Sequence, residues 1–277
     1  MKKIHVLAVL CAAGLASTAV GQMFYPLNSA DPTGPGPGGG WSIVPFTGAV
    51  GPEFRNDDLS SPLITLPDGF DYCFYGVERS SLYVNNNGNI TFGGPFGTFT
   101  PAGFPIATAM VAPFWADVDT RNAVVGTRPT NLVYSQLFTN GPGVADDVFV
   151  ISWDNVGYFG AHNDLRNTFQ VAIANDDDFF GPGLNTLFSY DLMEWTTGDA
   201  SGGVGGFGGA PATVGINEGT SALNRFDEWG RYDTAAEVAS LNHAVLTFNG
   251  CEGIVPTPAA AALLGLGSLV GLRRRRA

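Results

Sequence analysis

The chain of 277 residues carries a formal net charge of −12, with 45% apolar residues and only 14% charged ones. Of its thirteen basic residues, Lys2, Lys3 and Arg273 to Arg276 belong to the two ends, so the body between them holds seven arginines, no lysine and all twenty-five acids, a net charge of −18. Such an acidic body repels nucleic acid, whose binding needs basic neutralisation of phosphates; it suits an extracellular protein and can attract divalent cations.

At the amino terminus, Lys2 and Lys3 precede an apolar stretch from Ile4 to Leu15 and small residues through Gly21. This is the order of a secretory signal peptide, predicted over 1–21 with cleavage before Gln22. Cys11 follows Leu10, which is too bulky for lipoprotein processing, and a cut there would leave almost no apolar core. Residues 22–55 are rich in Pro and Gly, including the run from Pro32 to Gly40. A stretch of this composition buries too little surface to offset its entropy and is expected to be mobile, with Trp41 and Phe46 available to dock on the domain downstream.

From Asn56 the chain becomes short apolar or aromatic runs separated by Asn, Asp, Gly and Pro. Ser81 to Val84 and Asn89 to Phe92 flank Asn87-Gly88, a strong hairpin signal. A two-residue loop there would set Tyr83 opposite Phe92 and Val84 opposite Thr91. Further strands are expected at 110–112, 132–134, 148–153, 168–174, 186–190, 212–216 and 244–248. A short helix is expected over 234–241, capped by Asp233 or Thr234. Phe169-Gln170-Val171-Ala172-Ile173 alternates, predicting one buried and one wet face. The glycine-rich run from Gly198 to Gly209 is expected to be an exposed, flexible loop. About nine short strands and almost no helical periodicity predict an all-β fold, a single β-sandwich domain over 56–252.

Cys73 and Cys251 remain after removal of the signal peptide. An even pair in an oxidising compartment is expected to form a disulfide, joining the first strands of the domain to its last.

Enzyme signatures are thin. His162 and His243 each lack a second His or Cys at ligand spacing, whereas a zinc site needs three or four ligands. No nucleophile elbow, phosphate loop or dinucleotide fingerprint occurs. Carboxylates are numerous enough to form a glycosidase pair, which only their separation in space would reveal. The densest polar constellation is Trp115-Ala116-Asp117-Val118-Asp119, with Arg121 close behind it. Strand alternation places Asp117 and Asp119 on one face. They form either an ion-pair network with Arg121 or a calcium site of hard oxygen ligands. Asn175-Asp176-Asp177-Asp178 is a second acidic candidate that lacks the spacing of an EF-hand loop, so a solvated turn is its alternative. Phe179, Phe180, Tyr158 and Phe159 would either stack on sugar rings or cover the ends of a sandwich.

Six blocks occur in order: Phe74-Tyr75-Gly76, Leu82 to Gly93, Ala112 to Arg121, Thr168 to Ile173, Glu194 to Gly198 and Val214-Gly215-Ile216. The series resembles the NIDO domain, named for nidogen and found in tectorin-like and mucin-like surface proteins. The resemblance implies an extracellular module linked to cell–matrix adhesion and transfers no catalytic residue. With the export and sorting signals at the two ends, the chain is expected to be a non-enzymatic surface or matrix protein with extracellular polysaccharide or surface proteins as partners.

The carboxyl terminus over 253–277 carries Pro256 and Pro258, an uncharged stretch from Ala259 to Leu272, then Arg273, Arg274, Arg275 and Arg276. The stretch is shorter than the roughly 20 apolar residues of a comfortable membrane helix, and the arginines would hold its end at the cytoplasmic face. It resembles the PEP-CTERM sorting signal of Gram-negative bacteria, with Thr257 where that family has Glu. The resemblance implies a transient membrane helix removed by an exosortase-type protease; the alternative is a retained anchor.

Overall fold

The computed structural model describes Tyr25, Leu27 and residues 40–123, 130–139, 147–219 and 225–252. The expected signal peptide, most of the Pro/Gly run, and the tail with Pro256, Pro258 and Arg273 to Arg276 lie outside the described residues.

In chain order, β1 (Ser42–Ile43), β2 (Ile64–Thr65), β3 (Tyr72–Phe74), β4 (Val77–Arg79), β5 (Ser81–Asn85) and β6 (Asn89–Phe92) are short. Next come β7 (Ala109–Trp115), β8 (Val118–Asp119), β9 (Leu132–Phe138) and the long pair β10 (Val148–Tyr158) and β11 (His162–Ala174). The chain continues through β12 (Thr186–Met193), β13 (Ala212–Asn217), β14 (Phe226–Tyr232), α1 (Ala235–Ala239) and β15 (Val245–Phe248).

One sheet runs β1-β9-β10-β11-β12-β15, with β8 joined to β10, and the other β14-β13-β7-β6-β5-β2; β3 and β4 form a separate hairpin. Their inner faces close over one apolar core, so the fold is a β-sandwich. Ile151, Trp153, Phe169, Val171, Phe188 and Tyr190 come from the first sheet, and Val84, Ile90, Val111, Phe114, Val214 and Ile216 from the second. Trp153 stacks on Phe169, with ring centroids 5.2 Å apart. Three polar ties cross this core: Tyr190 Oη donates to Pro113 O at 2.7 Å, Trp153 Nε1 to Asn86 O at 2.9 Å, and Tyr75 Oη to Ile216 O at 3.3 Å. Each pairs a polar group that would be costly to bury alone.

The outer faces are covered as well, which corrects the expectation of a wet face. Gln170 is 0% exposed. Its amide donates to Tyr25 O at 2.6 Å and Ser152 Oγ at 3.2 Å, and its carbonyl accepts from Tyr25 N at 3.3 Å. Tyr25, Leu27 and Trp41 pack with Leu132, Tyr134, Val150, Ala172 and Leu187 on the outside of the first sheet. The amino-terminal segment thus supplies a third layer, and β1 extends the sheet by pairing with β9. On the second sheet, Phe96, Phe104 and Ile106 cover Met110, Ala112 and Trp115. A proline in a central strand would cost a ladder bond, but Pro113 lies where the β7–β13 register shifts, at a bulge.

The β5–β6 hairpin forms with a register one residue from that expected. Tyr83 faces Thr91, Val84 faces Ile90 and Asn85 faces Asn89, leaving a three-residue loop. Gly88 adopts φ +74°, and a Cβ there would lie 1.9 Å from Phe114 O. The tight seat of this loop on β7, which only glycine fits, sets the longer turn.

The short helix begins on a capping box: Thr234 Oγ1 accepts from Glu237 N, and the Glu237 carboxylate accepts from the amides of Asp233 and Thr234. The glycine-rich run is more ordered than its composition predicts. It folds back so that Thr196 N and Thr197 N both donate to Gly206 O, and it carries a 3-10 turn over Asp199–Ser201. The exposed edge strand β14 shows no clear alternating apolar pattern, because Phe226 and Trp229 are partly exposed rather than core.

Candidate functional site

At one end of the sandwich the loop after β7 meets the segment before β2. Asp57 bridges Asp119 across an isolated antiparallel pair. Thr120 N donates to Asn56 O at 3.0 Å and Asn56 N to Thr120 Oγ1 at 2.9 Å. The asparagines of the hairpin are buried here as cross-links. Asn86 Nδ2 donates to Thr120 Oγ1 at 3.3 Å. Asn87 Nδ2 donates to Asp58 Oδ1 at 2.8 Å, while its Oδ1 accepts from Val118 N at 2.9 Å.

The two aspartates singled out from sequence have different fates. Asp119 is 0% exposed and belongs to Arg121, whose Nε lies 2.9 Å from Oδ1 and Nη2 2.5 Å from Oδ2. The backbone amides of Arg121 and Ala161 also donate to Asp119, at 2.9 Å each. Asp117 instead gathers with Asp57 and Asp58, one carboxylate oxygen from each lying within 4.8 Å of the others. Asp117 Oδ2 accepts from Ser201 Oγ at 3.3 Å, against Gly198, where any Cβ would lie 2.5 Å from that oxygen. Oδ1 of Asp117 and Oδ1 of Asp57 are buried without a hydrogen-bond partner. The two aspartates that strand alternation puts on one face are thus held apart in their partners: Asp119 lies with Arg121, and Asp117 with Asp57 and Asp58.

Electrostatics reflect the geometry. Burial first, then the charges of Asp57 and Asp58, push the Asp117 carboxyl up to about 8. Burial, Asp58 and Asp119 push Asp57 up to about 7, with Arg121 opposing. Burial also raises Asp58, opposed by the Asn87 hydrogen bond and Arg121. The hydrogen bonds to Asp119 hold the Arg121 guanidinium charged, and it also lies over the Phe159 ring at 5.5 Å.

The second acidic stretch is a turn. Asp176 Oδ1 accepts from Asp178 N at 2.8 Å, Asp178 Oδ1 from Gly183 N at 2.7 Å, and Asp177 Oδ1 from Asn185 Nδ2 at 2.9 Å. The aromatics near it cover the sandwich: Phe179 and Phe180 pack against the outer layer of the first sheet, and Tyr158 is buried, stacked on His162. His162 Nε2 lies 2.9 Å from Asp199 Oδ2, and His243 Nδ1 lies 3.4 Å from Asp191 Oδ1.

Cys73 and Cys251 are joined by a disulfide, with Cα atoms 4.8 Å apart and 178 positions between them in sequence. Tyr75 N donates to Gly250 O at 2.7 Å, and Gly250 N to Asn185 Oδ1 at 2.9 Å, bracing the same junction. Asp177 approaches these sulfurs, but bridged sulfurs offer no thiolate to a metal. Among the described residues, no helix is long and apolar enough to cross a membrane.

Two covered sheets, a bridge from β3 to the turn after β15 and an acidic loop end define a disulfide-stapled β-sandwich module. The nidogen-like domain model matches residues 80–250, most of the chain, and the protein belongs to that family. Human alpha-tectorin is 35% identical over 179 residues, covering 59% of this chain and 8% of that protein. Alpha-tectorin of Gallus gallus is 35% identical over 196 residues, covering 64% of the chain and 9% of its own length. The nidogen of Drosophila melanogaster is 33% identical over 144 residues, covering 47% and 10%. The chain therefore spans about a tenth or less of the length of these curated relatives. No solved structure matches it.

Proposed function

We propose that the protein is an exported, non-enzymatic module that works in adhesion or in organising an extracellular matrix. The observation that carries this reading is membership of the nidogen-like family over residues 80–250, with relatives among the alpha-tectorins and nidogens, which are extracellular matrix proteins. The acidic composition and the disulfide fit an oxidising exterior. The finer reading is surface display on a bacterium: a signal peptide over 1–21 exports the chain, and an exosortase-type protease removes the tail beginning near Pro256 and Pro258. The partner is then extracellular polysaccharide or another surface protein. Burial argues against glycan cleavage by the closest carboxylates, since Asp117 is 1% exposed and closed off from a polymeric substrate.

The test is binding of the purified exported protein to exopolysaccharide and to surface protein from the producing cells, run beside a glycan-cleavage assay. Saturable binding without release of sugar is the expected result. Turnover of the polysaccharide, or no binding to either fraction, overturns the reading.

A further inference from the structure

The loop end of the sandwich gathers four carboxylates, Asp57, Asp58, Asp117 and Asp119, and the Arg121 guanidinium acts on Asp119, Asp57 and Asp58. Arg121 grips Asp119 with two nitrogens and reaches Asp57 Oδ2 at 3.2 Å. That leaves Asp57, Asp58 and Asp117 with their oxygens within 4.8 Å of one another. A cation standing among three carboxylates so close would stabilise their charged forms against one another.

A second observation is independent of that crowding. Asp117 is 1% exposed, and its Oδ1 has no hydrogen-bond donor. Oδ2 is occupied on the other side, against Gly198 and Ser201. Asp57 Oδ1 is likewise buried and without a donor. Buried carboxylate oxygens are normally satisfied, so two unsatisfied ones in one group call for a ligand. Carboxylate oxygens are hard donors and suit calcium, which takes oxygens at about 2.3–2.6 Å, so that opposite ligands stand about 5 Å apart. The span of the trio fits that sphere.

We propose that Asp57, Asp58 and Asp117 hold a calcium ion. The ion ties the segment before β2 to the loop after β7 and, through Ser201, to the glycine-rich loop. Asp119 is held by Arg121 and takes no part in coordination, while Arg121 also steadies the Asp57 ligand from outside through Oδ2.

The test uses the exported full chain, stripped with chelator and titrated with calcium chloride or magnesium chloride at low ionic strength, monitored by calorimetry and thermal unfolding. Calcium should bind with a dissociation constant of about 0.1–1 mM and raise the unfolding midpoint by several degrees, with magnesium weaker. Asp117→Asn and Asp57→Asn should each weaken calcium binding at least tenfold, while Asp177→Asn, in the exposed turn, should leave it unchanged. If Asp117→Asn fails to fold by circular dichroism, Asp58→Asn carries the same expectation. The proposal is overturned if calcium produces neither heat nor a midpoint shift, or if the folded aspartate variants bind as the wild type does.

Discussion

Arg121 lays its guanidinium across the buried carboxylate of Asp119, Nε to one oxygen at 2.9 Å and Nη2 to the other at 2.5 Å. This fork is what separates two aspartates that look equivalent in sequence. Removing the arginine would leave a fully buried carboxylate with only backbone donors. The fully buried case costs about 3–5 kcal/mol, but the Arg121 side chain is 48% exposed and solvent screens it. Arg121→Met should therefore lower stability by about 2 kcal/mol in urea denaturation at neutral pH. Arg121→Lys should recover only part of that loss, because an ammonium cannot make the fork.

The bridge between Cys73 and Cys251 closes a loop of 178 residues. In the chain-entropy model such a loop contributes about 4–5 kcal/mol. The Cys73→Ala/Cys251→Ala double variant should unfold at a markedly lower denaturant midpoint with an unchanged native circular dichroism spectrum. An unchanged midpoint would show that the bracing hydrogen bonds at Gly250 suffice without the bond.

Gly88 is confined on two counts, by φ +74° and by the backbone of Phe114, which a Cβ would approach to 1.9 Å. Positive φ alone penalises alanine by about 1 kcal/mol. The close approach forces the hairpin away from β7 as well, so Gly88→Ala should cost more than about 2 kcal/mol. Chemical denaturation checks this, with Gly48→Ala as a control at a glycine whose added Cβ meets nothing within 4 Å.

Glu237 reports on acid conditions. Hydrogen bonds from the amides of Asp233 and Thr234 hold its carboxyl below the usual carboxylate range. A depressed folded pKa means that the folded state favours the charged form. The contribution is therefore present above the unfolded value of about 4.3 and is lost as pH falls through the folded value. The midpoint difference between the wild type and Glu237→Gln should be present at pH 7 and shrink below about pH 4.

Processing of the tail is tested by intact mass. If an exosortase-type protease acts near Pro256 and Pro258, protein released from the cell surface should lack Arg273 to Arg276. A mass that includes the four arginines would mean that the tail is retained as an anchor.

Much of the all-β organisation was legible in the chain because its causes are local. Short apolar runs marked β5 to β7, β9 to β13 and β15, Asn87-Gly88 marked the hairpin, and Thr234 marked the start of α1. What failed depended on contacts made elsewhere. The hairpin register moved by one because Gly88 is seated on Phe114. Gln170 lost its expected solvent because Tyr25 covers it from 145 positions away. Trp115-Ala116-Asp117-Val118-Asp119 announced that carboxylates would matter, and strand alternation paired Asp117 with Asp119. The packed sandwich paired Asp119 with Arg121 and carried Asp57 and Asp58 to Asp117. The sequence alone determined the family, the longer strands and the cysteines available to pair, whereas the short β1 to β4, β8 and the exposed edge strand β14 carry no such local signal. Tertiary structure alone decided which acids share a site, because propensity and periodicity act over a few residues, whereas charge and desolvation act on whatever the packed sheets bring within a few ångströms.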